Sequence, residues 1–243
     1  MRPALAVVFD MDGVLLDTER LYTEATQQIV GRFGKTFDWS VKSNMIGRPA
    51  GDSARYLVEA LDLPITAEDY LREREVLFRT LMPTAKAMPG ARELTDALHA
   101  RGIPVAVATS SARPVYELKT THHRPWFASF HVVVTGDDPR IARGKPAPDI
   151  YLLAARELGV EPARCVAIED APAGVDAARA AGMGVVAVPD PALGRERVAH
   201  ADLVLETLVG VRPEDLGLAS TSVGPSAGSA WQPRASRGPG RSS

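Results

Sequence analysis

Short apolar runs recur along the chain at residues 5–9, 105–108, 132–134, 165–168 and 185–188, each ending in turn-forming residues. Each run is too short for a helix, rich in β-branched residues and apolar at consecutive positions. Strands of a parallel sheet covered on both sides read this way, because neither face meets water. Between the runs lie helix-length amphipathic stretches at residues 91–100, 148–158 and 174–181. Alternation of strand and helix predicts an α/β fold with a doubly wound parallel sheet.

One interval departs from this rhythm. From about Asp17 to Met88 no run reads as a buried strand, and residues 19–33, 52–61 and 67–81 carry helical spacing instead. Such an insertion either enlarges the core or forms a cap over the strands' C-terminal ends, where ligands bind in open α/β sheets. Its position directly after the first strand favours the cap. The expected division is a core of residues 1–16 and 89–216, a helical cap of residues 17–88 and a tail of residues 217–243. The tail is dominated by Gly, Ser, Pro and Ala and is expected to be disordered, with Trp231 solvated inside it.

Composition narrows the function classes. The chain has 243 residues, 45% apolar and 24% charged, with a net charge of −2. That balance is ordinary for a soluble globular protein and argues against a generally basic nucleic-acid binder. Cys165 is the single cysteine, so disulfide frameworks and multi-cysteine metal sites are excluded, and its place in an apolar run makes it an inert core residue. No apolar run reaches the ~18 residues of a membrane span, and the N-terminus lacks the pattern of a secretory signal. A cytoplasmic monomer or weak homo-oligomer, with no nucleic-acid or membrane partner, is the expectation. His122 and His123 are adjacent and so do not face one another on a helix, which favours a surface role. His99 and His200 fall on predicted helix surfaces, and the charged run from Arg72 to Arg79 reads as a solvated helix face.

The chemistry collects at strand ends. The first strand runs into Asp10-Met11-Asp12-Gly13, two carboxylates at alternate positions followed by a glycine that permits a tight turn. The run at 105–108 ends in Thr109-Ser110-Ser111, the run at 165–168 ends in Glu169-Asp170, and Lys145 precedes a predicted helix. Taken singly, each has a bland reading as a turn, a cap or a surface charge. Four segments supplying polar groups to one sheet edge are harder to dismiss. Asp10, Asp12, Glu169 and Asp170 against Lys145 leave three negative charges, a cluster that calls for a cation or a protonated carboxyl. Hard oxygen donors without Cys or paired His select Mg²⁺ over Zn²⁺. A carboxylate nucleophile beside hydroxyls, a lysine and Mg²⁺ is the equipment of phosphoryl transfer.

Residues 9–19, Phe-Asp-Met-Asp-Gly-Val-Leu-Leu-Asp-Thr-Glu, resemble the first motif of the haloacid dehalogenase superfamily, and Thr109, Lys145 and Glu169-Asp170 resemble its second, third and fourth motifs in order. The resemblance spans residues ~4 to ~217. It implies a Rossmann-like core with an inserted helical cap, and an aspartyl-phosphate mechanism in which Asp10 attacks phosphorus while Asp12 serves as acid and then base. Thr109, Ser110 and Lys145 would hold the phosphoryl oxygens. Asp10, Asp12 through its carbonyl, and Asp170 would ligate Mg²⁺, with Glu169 close by or acting through water. Asp12 sets the chain apart from the dehalogenases themselves, which lack a second Asp.

Segments such as residues 17–22, 119–121, 136–139 and 169–172 are similar to pseudouridine-5′-phosphatases and glycerol-3-phosphate phosphatases. Residues 35–40 with Gly47-Arg48 are nearer the second group. The expected substrate is therefore a small sugar, nucleotide-like or polyol phosphate, with pseudouridine 5′-phosphate first and glycerol 3-phosphate next. The rival enzyme is a phosphosugar mutase of the β-phosphoglucomutase type. Tyr22 in place of that type's histidine, and Arg48 slightly early for its cap arginine, favour hydrolysis. A phospho-acceptor signalling domain or a phosphate-binding protein is the non-enzymatic alternative.

Overall fold

A computed structural model describes residues 4–45 and 50–218. The chain begins with β1 (Ala6–Phe9) and β2 (Leu16–Asp17), then passes through α1 (Glu19–Gly31), α2 (Trp39–Lys42), α3 (Ala50–Ala60) and α4 (Ala67–Leu81). It continues with β3 (Lys86–Ala87), α5 (Ala91–Ala100), β4 (Val105–Thr109), α6 (Arg113–Lys119), α7 (Arg124–Phe127) and β5 (Val132–Thr135). The last elements are α8 (Asp149–Leu158), β6 (Cys165–Glu169), α9 (Pro172–Ala180), β7 (Gly184–Ala187) and β8 (Leu203–Val204).

Alternating burial builds the sheet into two layers of core. Val7 and Phe9, Val105 and Val107, and Val166 and Ile168 face one cluster, which Leu94, Leu98, Trp126 and Phe127 complete from α5 and α7. Ala6 and Val8, Ala106 and Ala108, and Cys165 and Ala167 face the other, covered by Tyr151 and Ala154 of α8 and Val175 and Ala178 of α9. The second face is built mostly of alanine, which lets α8 and α9 lie close to the sheet. Both faces are dry, as the unbroken apolar runs require.

All six main strands are parallel, in the order β5-β4-β1-β6-β7-β8. The chain steps outward from β1 to β4 and β5, then crosses through α8 to β6 on the other side of β1. The strand order reverses at β1, so its C-terminal end is the switch point where open α/β sheets bind ligands. Phe9 is in register with Val107 and Ile168, which puts Asp10 level with the ends of both neighbouring strands.

The insertion carries a separate small core of Ile29, Val30, Leu57, Leu63 and Tyr70, drawn mainly from α1, α3 and α4. Thr66 and Asp69 form a reciprocal capping box that starts α4. Entry to and exit from the insertion are joined as an antiparallel ribbon, with Leu16 opposite Ala87 and Asp17 opposite Lys86. These two-residue, partly exposed strands are not the buried strands whose absence the pattern of residues 17–88 predicts. Their partners lie some seventy residues apart along the chain, so no local period reveals them.

Other boundaries shift for local reasons. The first helix stops at Gly31 rather than continuing to Phe33, and α9 begins earlier than expected, with Pro172 at its first position. α2, α6, α7 and β8 were not expected from periodicity, being only two to seven residues long. The expected tail starts two residues too early. Leu218 is buried in the main core, and the Ala4 amide donates to the Gly217 carbonyl at 3.2 Å. The rest of that tail, with Trp231, and Gly47 and Arg48 lie outside the described residues.

Candidate active site

Asp10 follows directly on β1, its amide still donating to the Ile168 carbonyl at 2.9 Å, and its side chain is buried. Lys145 reaches it from the loop before α8. The ammonium donates to Asp10 Oδ1 at 2.5 Å, to Glu169 Oε1 at 2.6 Å and to the Ala108 carbonyl at 3.1 Å, so its three protons are all used. Glu169 is equally committed. Oε1 also accepts from the Tyr151 hydroxyl at 2.6 Å, and Oε2 accepts from the Asp170 and Ala171 amides at 3.1 and 3.4 Å. A Cβ on Gly174 would stand 1.8 Å from Glu169 Oε1, so only glycine lets the first turn of α9 close round this carboxylate. Burial drives the Asp10 carboxyl up, Lys145 draws it down and Glu169 and Asp12 push it up again, leaving it at about 7. Asp170 is raised well above the carboxylate range by burial and by its neighbours Glu169 and Asp10.

Asp12 belongs to a second cluster in the same cavity. It accepts from the Thr18 hydroxyl at 2.5 Å, from the Lys119 ammonium at 2.6 Å and from the Ser111 hydroxyl at 3.1 Å. Lys119 is fully buried and also donates to Ser111 Oγ at 2.9 Å and to the Tyr22 hydroxyl at 3.0 Å. Burial alone would raise the Asp12 carboxyl, but the Lys119 charge and the bonds from Lys119, Thr18 and Ser111 hold it below its ordinary value. Each catalytic candidate thus has its own lysine. The second lysine lowers the charge excess read from the sequence, since four carboxylates now face two ammonium groups.

The donor set fits a hard divalent cation. Carboxylate oxygens of Asp10, Glu169 and Asp170 come within 4.8 Å of one another, with no sulfur or nitrogen ligand among them. Glu169 is saturated by four donors, Asp10 Oδ2 and the Asp170 carboxylate carry no hydrogen bond among the described residues, and the Asp12 side chain is turned to Lys119. Gly13 approaches Asp170 closely from the loop after β1. Its φ is +78°, and a Cβ there would lie 2.2 Å from Asp170 Oδ2 and 2.8 Å from its Cγ. Gly13→Ala is therefore expected to strain the backbone by about 1–3 kcal/mol and to push Asp170 aside. Thermal melts with a Mg²⁺ titration check this: a wild-type melting point and half-saturating Mg²⁺ would count against it.

The predicted residues do not all reach the cavity alike. Asp10, Asp12, Ser110, Lys145, Glu169 and Asp170 line one cavity of about 730 Å³ between the sheet's C-terminal edge and the insertion. Thr109 is fully buried, and its hydroxyl accepts from the Ser111 amide at 3.1 Å, so it shapes the turn that presents Ser110 and Ser111. Lys119 was missed. Its signal is the spacing Tyr116, Lys119, Thr120, which puts all three on the buried side of α6 and its end. Arg74 corrects the reading of residues 72–79 as a solvated face. Arg72 and Arg79 are exposed, but Arg74 lines the cavity, stacked on Tyr70 and Phe78 at i−4 and i+4. His123 Nε2 meets the Ala85 carbonyl at 2.7 Å. Burial pushes the Cys165 thiol up to about 11, in keeping with an inert core residue.

Residues 5–182 match the haloacid dehalogenase-like hydrolase family. Over 217 residues the chain is 48% identical to (DL)-glycerol-3-phosphatase 2 of Arabidopsis thaliana, covering 87% of this chain and 90% of that one. It is 46% identical over 221 residues to a Drosophila melanogaster protein named "Probable pseudouridine-5′-phosphatase", covering 90% and 96%. The fold matches the crystal structure of CbbY from Rhodobacter sphaeroides in complex with phosphate, with a TM-score of 0.71, 30% identity and coverage of 88% and 100%.

Proposed function

Because the chain belongs to the haloacid dehalogenase-like hydrolases, we propose that it is a Mg²⁺-dependent phosphomonoesterase acting through an aspartyl phosphate on Asp10. One observation carries this reading above the others. Asp10 and Asp12 share a cavity but are held by different lysines, Lys145 at 2.5 Å and Lys119 at 2.6 Å, as two carboxylates with two tasks would be. Asp10 Oδ2 attacks phosphorus, the bond to the leaving oxygen breaks, and Asp12 supplies that oxygen's proton. Water then attacks the aspartyl phosphate, Asp12 takes its proton, and inorganic phosphate leaves.

Lys119, Thr18 and Ser111 hold Asp12 ionised, the form that the second half requires. A phosphoryl dianion entering beside it raises its proton affinity for the first half. Lys145 gives up one of its present acceptors to a phosphoryl oxygen as the substrate enters, beside Ser110 and the turn behind Thr109. A bound Mg²⁺, held by Asp10, Asp170 and the Asp12 carbonyl, would supply charge neutralisation as the dianion enters.

The substrate is a small phosphorylated metabolite, with pseudouridine 5′-phosphate favoured and glycerol 3-phosphate next. Similarity to the two phosphatases above supports both. The helical insertion acts as the cap that selects the leaving group, which its share of the cavity wall supports. A cytoplasmic location belongs to the same proposal.

The test follows phosphate and isomers together. Purified enzyme is incubated with pseudouridine 5′-phosphate, glycerol 3-phosphate and β-glucose 1-phosphate, with and without Mg²⁺. Free phosphate from either of the first two is expected. Tyr22, spent on Lys119, replaces the histidine of the mutase type. Stoichiometric glucose 6-phosphate without phosphate release would overturn hydrolysis in favour of a mutase.

A further inference from the structure

We propose that Arg74 is the specificity-determining residue of the cavity's cap side, and that it selects a neutral leaving group presenting an oxygen acceptor. The proposal rests on the phosphatase reading for its reaction, though not for its binding. Arg74 Nε is buried with no hydrogen-bond partner, and no carboxylate among the described residues pairs with the guanidinium. Every other cation lining the cavity is engaged: Lys145 with Asp10 and Glu169, and Lys42 with Glu19 at 3.2 Å and Thr23 at 3.0 Å.

An unmet buried donor costs stability, and Arg74 lines the cavity with no hydrogen bond among the described residues engaging its guanidinium. The donor is also preorganised. Arg74 Cζ lies 5.6 Å from the Tyr70 ring centroid and 5.1 Å from that of Phe78, so two aromatic residues one turn either side set where the guanidinium sits. Phe78 is in turn fixed by an edge-on contact with Tyr22 at 4.7 Å, and Tyr22 bonds to Lys119.

Charge chooses between a neutral and an anionic ligand. Glu19, Glu75 and Asp190 line the same cavity, against Lys42 and Arg74. Glu19 is paired with Lys42 at 3.2 Å and Glu75 with Arg79 at 3.5 Å, which leaves Asp190 against Arg74, so the wall offers no surplus of positive charge to hold a second phosphate. Phe37, Trp39, Tyr70 and Phe78 add an apolar lining. A neutral leaving group with a flat apolar face and a carbonyl or hydroxyl oxygen toward Arg74 satisfies each of these groups.

Steady-state kinetics with Mg²⁺ decide it, using pseudouridine 5′-phosphate, whose ring bears carbonyl acceptors, against phenyl phosphate, whose ring bears none. Arg74→Met keeps an apolar stem over the rings but removes every donor, and Arg74→Lys restores charge without the planar fork. The ratio of kcat/KM for the two substrates is expected to fall about tenfold or more in Arg74→Met, with only partial recovery in Arg74→Lys. Equal losses on both substrates, with the fold retained by circular dichroism, would overturn the proposal, as would a wild-type preference for a sugar bisphosphate. A wild type that hydrolyses no ester refutes the phosphatase reading instead. In that event equilibrium binding of pseudouridine still decides Arg74: about tenfold weaker binding in Arg74→Met supports the assignment, and unchanged binding removes it.

Discussion

Asp10→Asn is expected to fold as well as the wild type and to lose about 10³ or more in kcat. The amide keeps the carboxylate's shape at the end of β1, and its oxygen still accepts from Lys145. Lys145 also retains Glu169 at 2.6 Å and the Ala108 carbonyl at 3.1 Å. Removing one charge from a buried acidic cluster relieves repulsion, since burial and its acidic neighbours already push Asp10 up to about 7. The melting temperature should therefore hold or rise while turnover collapses, because an amide cannot attack phosphorus. Phosphate release and mass spectrometry of rapidly quenched enzyme read the two halves of the claim. Near-wild-type turnover, or a phosphoenzyme still formed by Asp10→Asn, would remove Asp10 from its role.

Chelation should have an effect as large. Asp10, Glu169 and Asp170 bring carboxylate oxygens within 4.8 Å of one another, and a phosphoryl dianion must enter beside them. Lys145 and Lys119 balance only half of the four carboxylates in the cavity, so the dianion meets net negative charge unless a cation is present. EDTA should abolish activity and Mg²⁺ restore it. Ca²⁺, with its larger coordination number and looser geometry, should restore little. A readout apart from turnover accompanies this, since Mg²⁺ binding the folded chain alone should raise the melting temperature in a concentration-dependent way. Full activity after exhaustive chelation would mean that the acidic cluster serves some other purpose.

Much of the site was legible because it follows from period and position. Asp10 and Asp12 announce themselves by ending an apolar run at alternate positions, and Glu169-Asp170 by ending another. Lys119 and Arg74 were less legible for opposite reasons. A lysine beside Leu118 and Thr120 reads as an exposed helix position until the packing that buries it is known. An arginine between Glu73 and Glu75 reads as part of a solvated charge pattern, although Tyr70, Arg74 and Phe78 share one helix face.

The sequence by itself determined the parallel sheet, its two dry faces, the helical character of the insertion and the strand-end acids, because these are local consequences of hydrophobic period and chain order. Only the tertiary structure decided how the charges were shared out. It brought Lys119 from the end of α6 to Asp12, 107 positions away, and Lys145 to Asp10, 135 positions away. It also saturated Glu169 with four donors and turned Thr109 toward its own backbone. It joined β2 to β3 across the whole insertion, so that α4 places Arg74 in the wall of the cavity that Asp10 also lines. Hydrophobic pattern acts over a few residues, whereas the pairing of buried charges is settled by whichever chain segments the finished fold brings within hydrogen-bond reach.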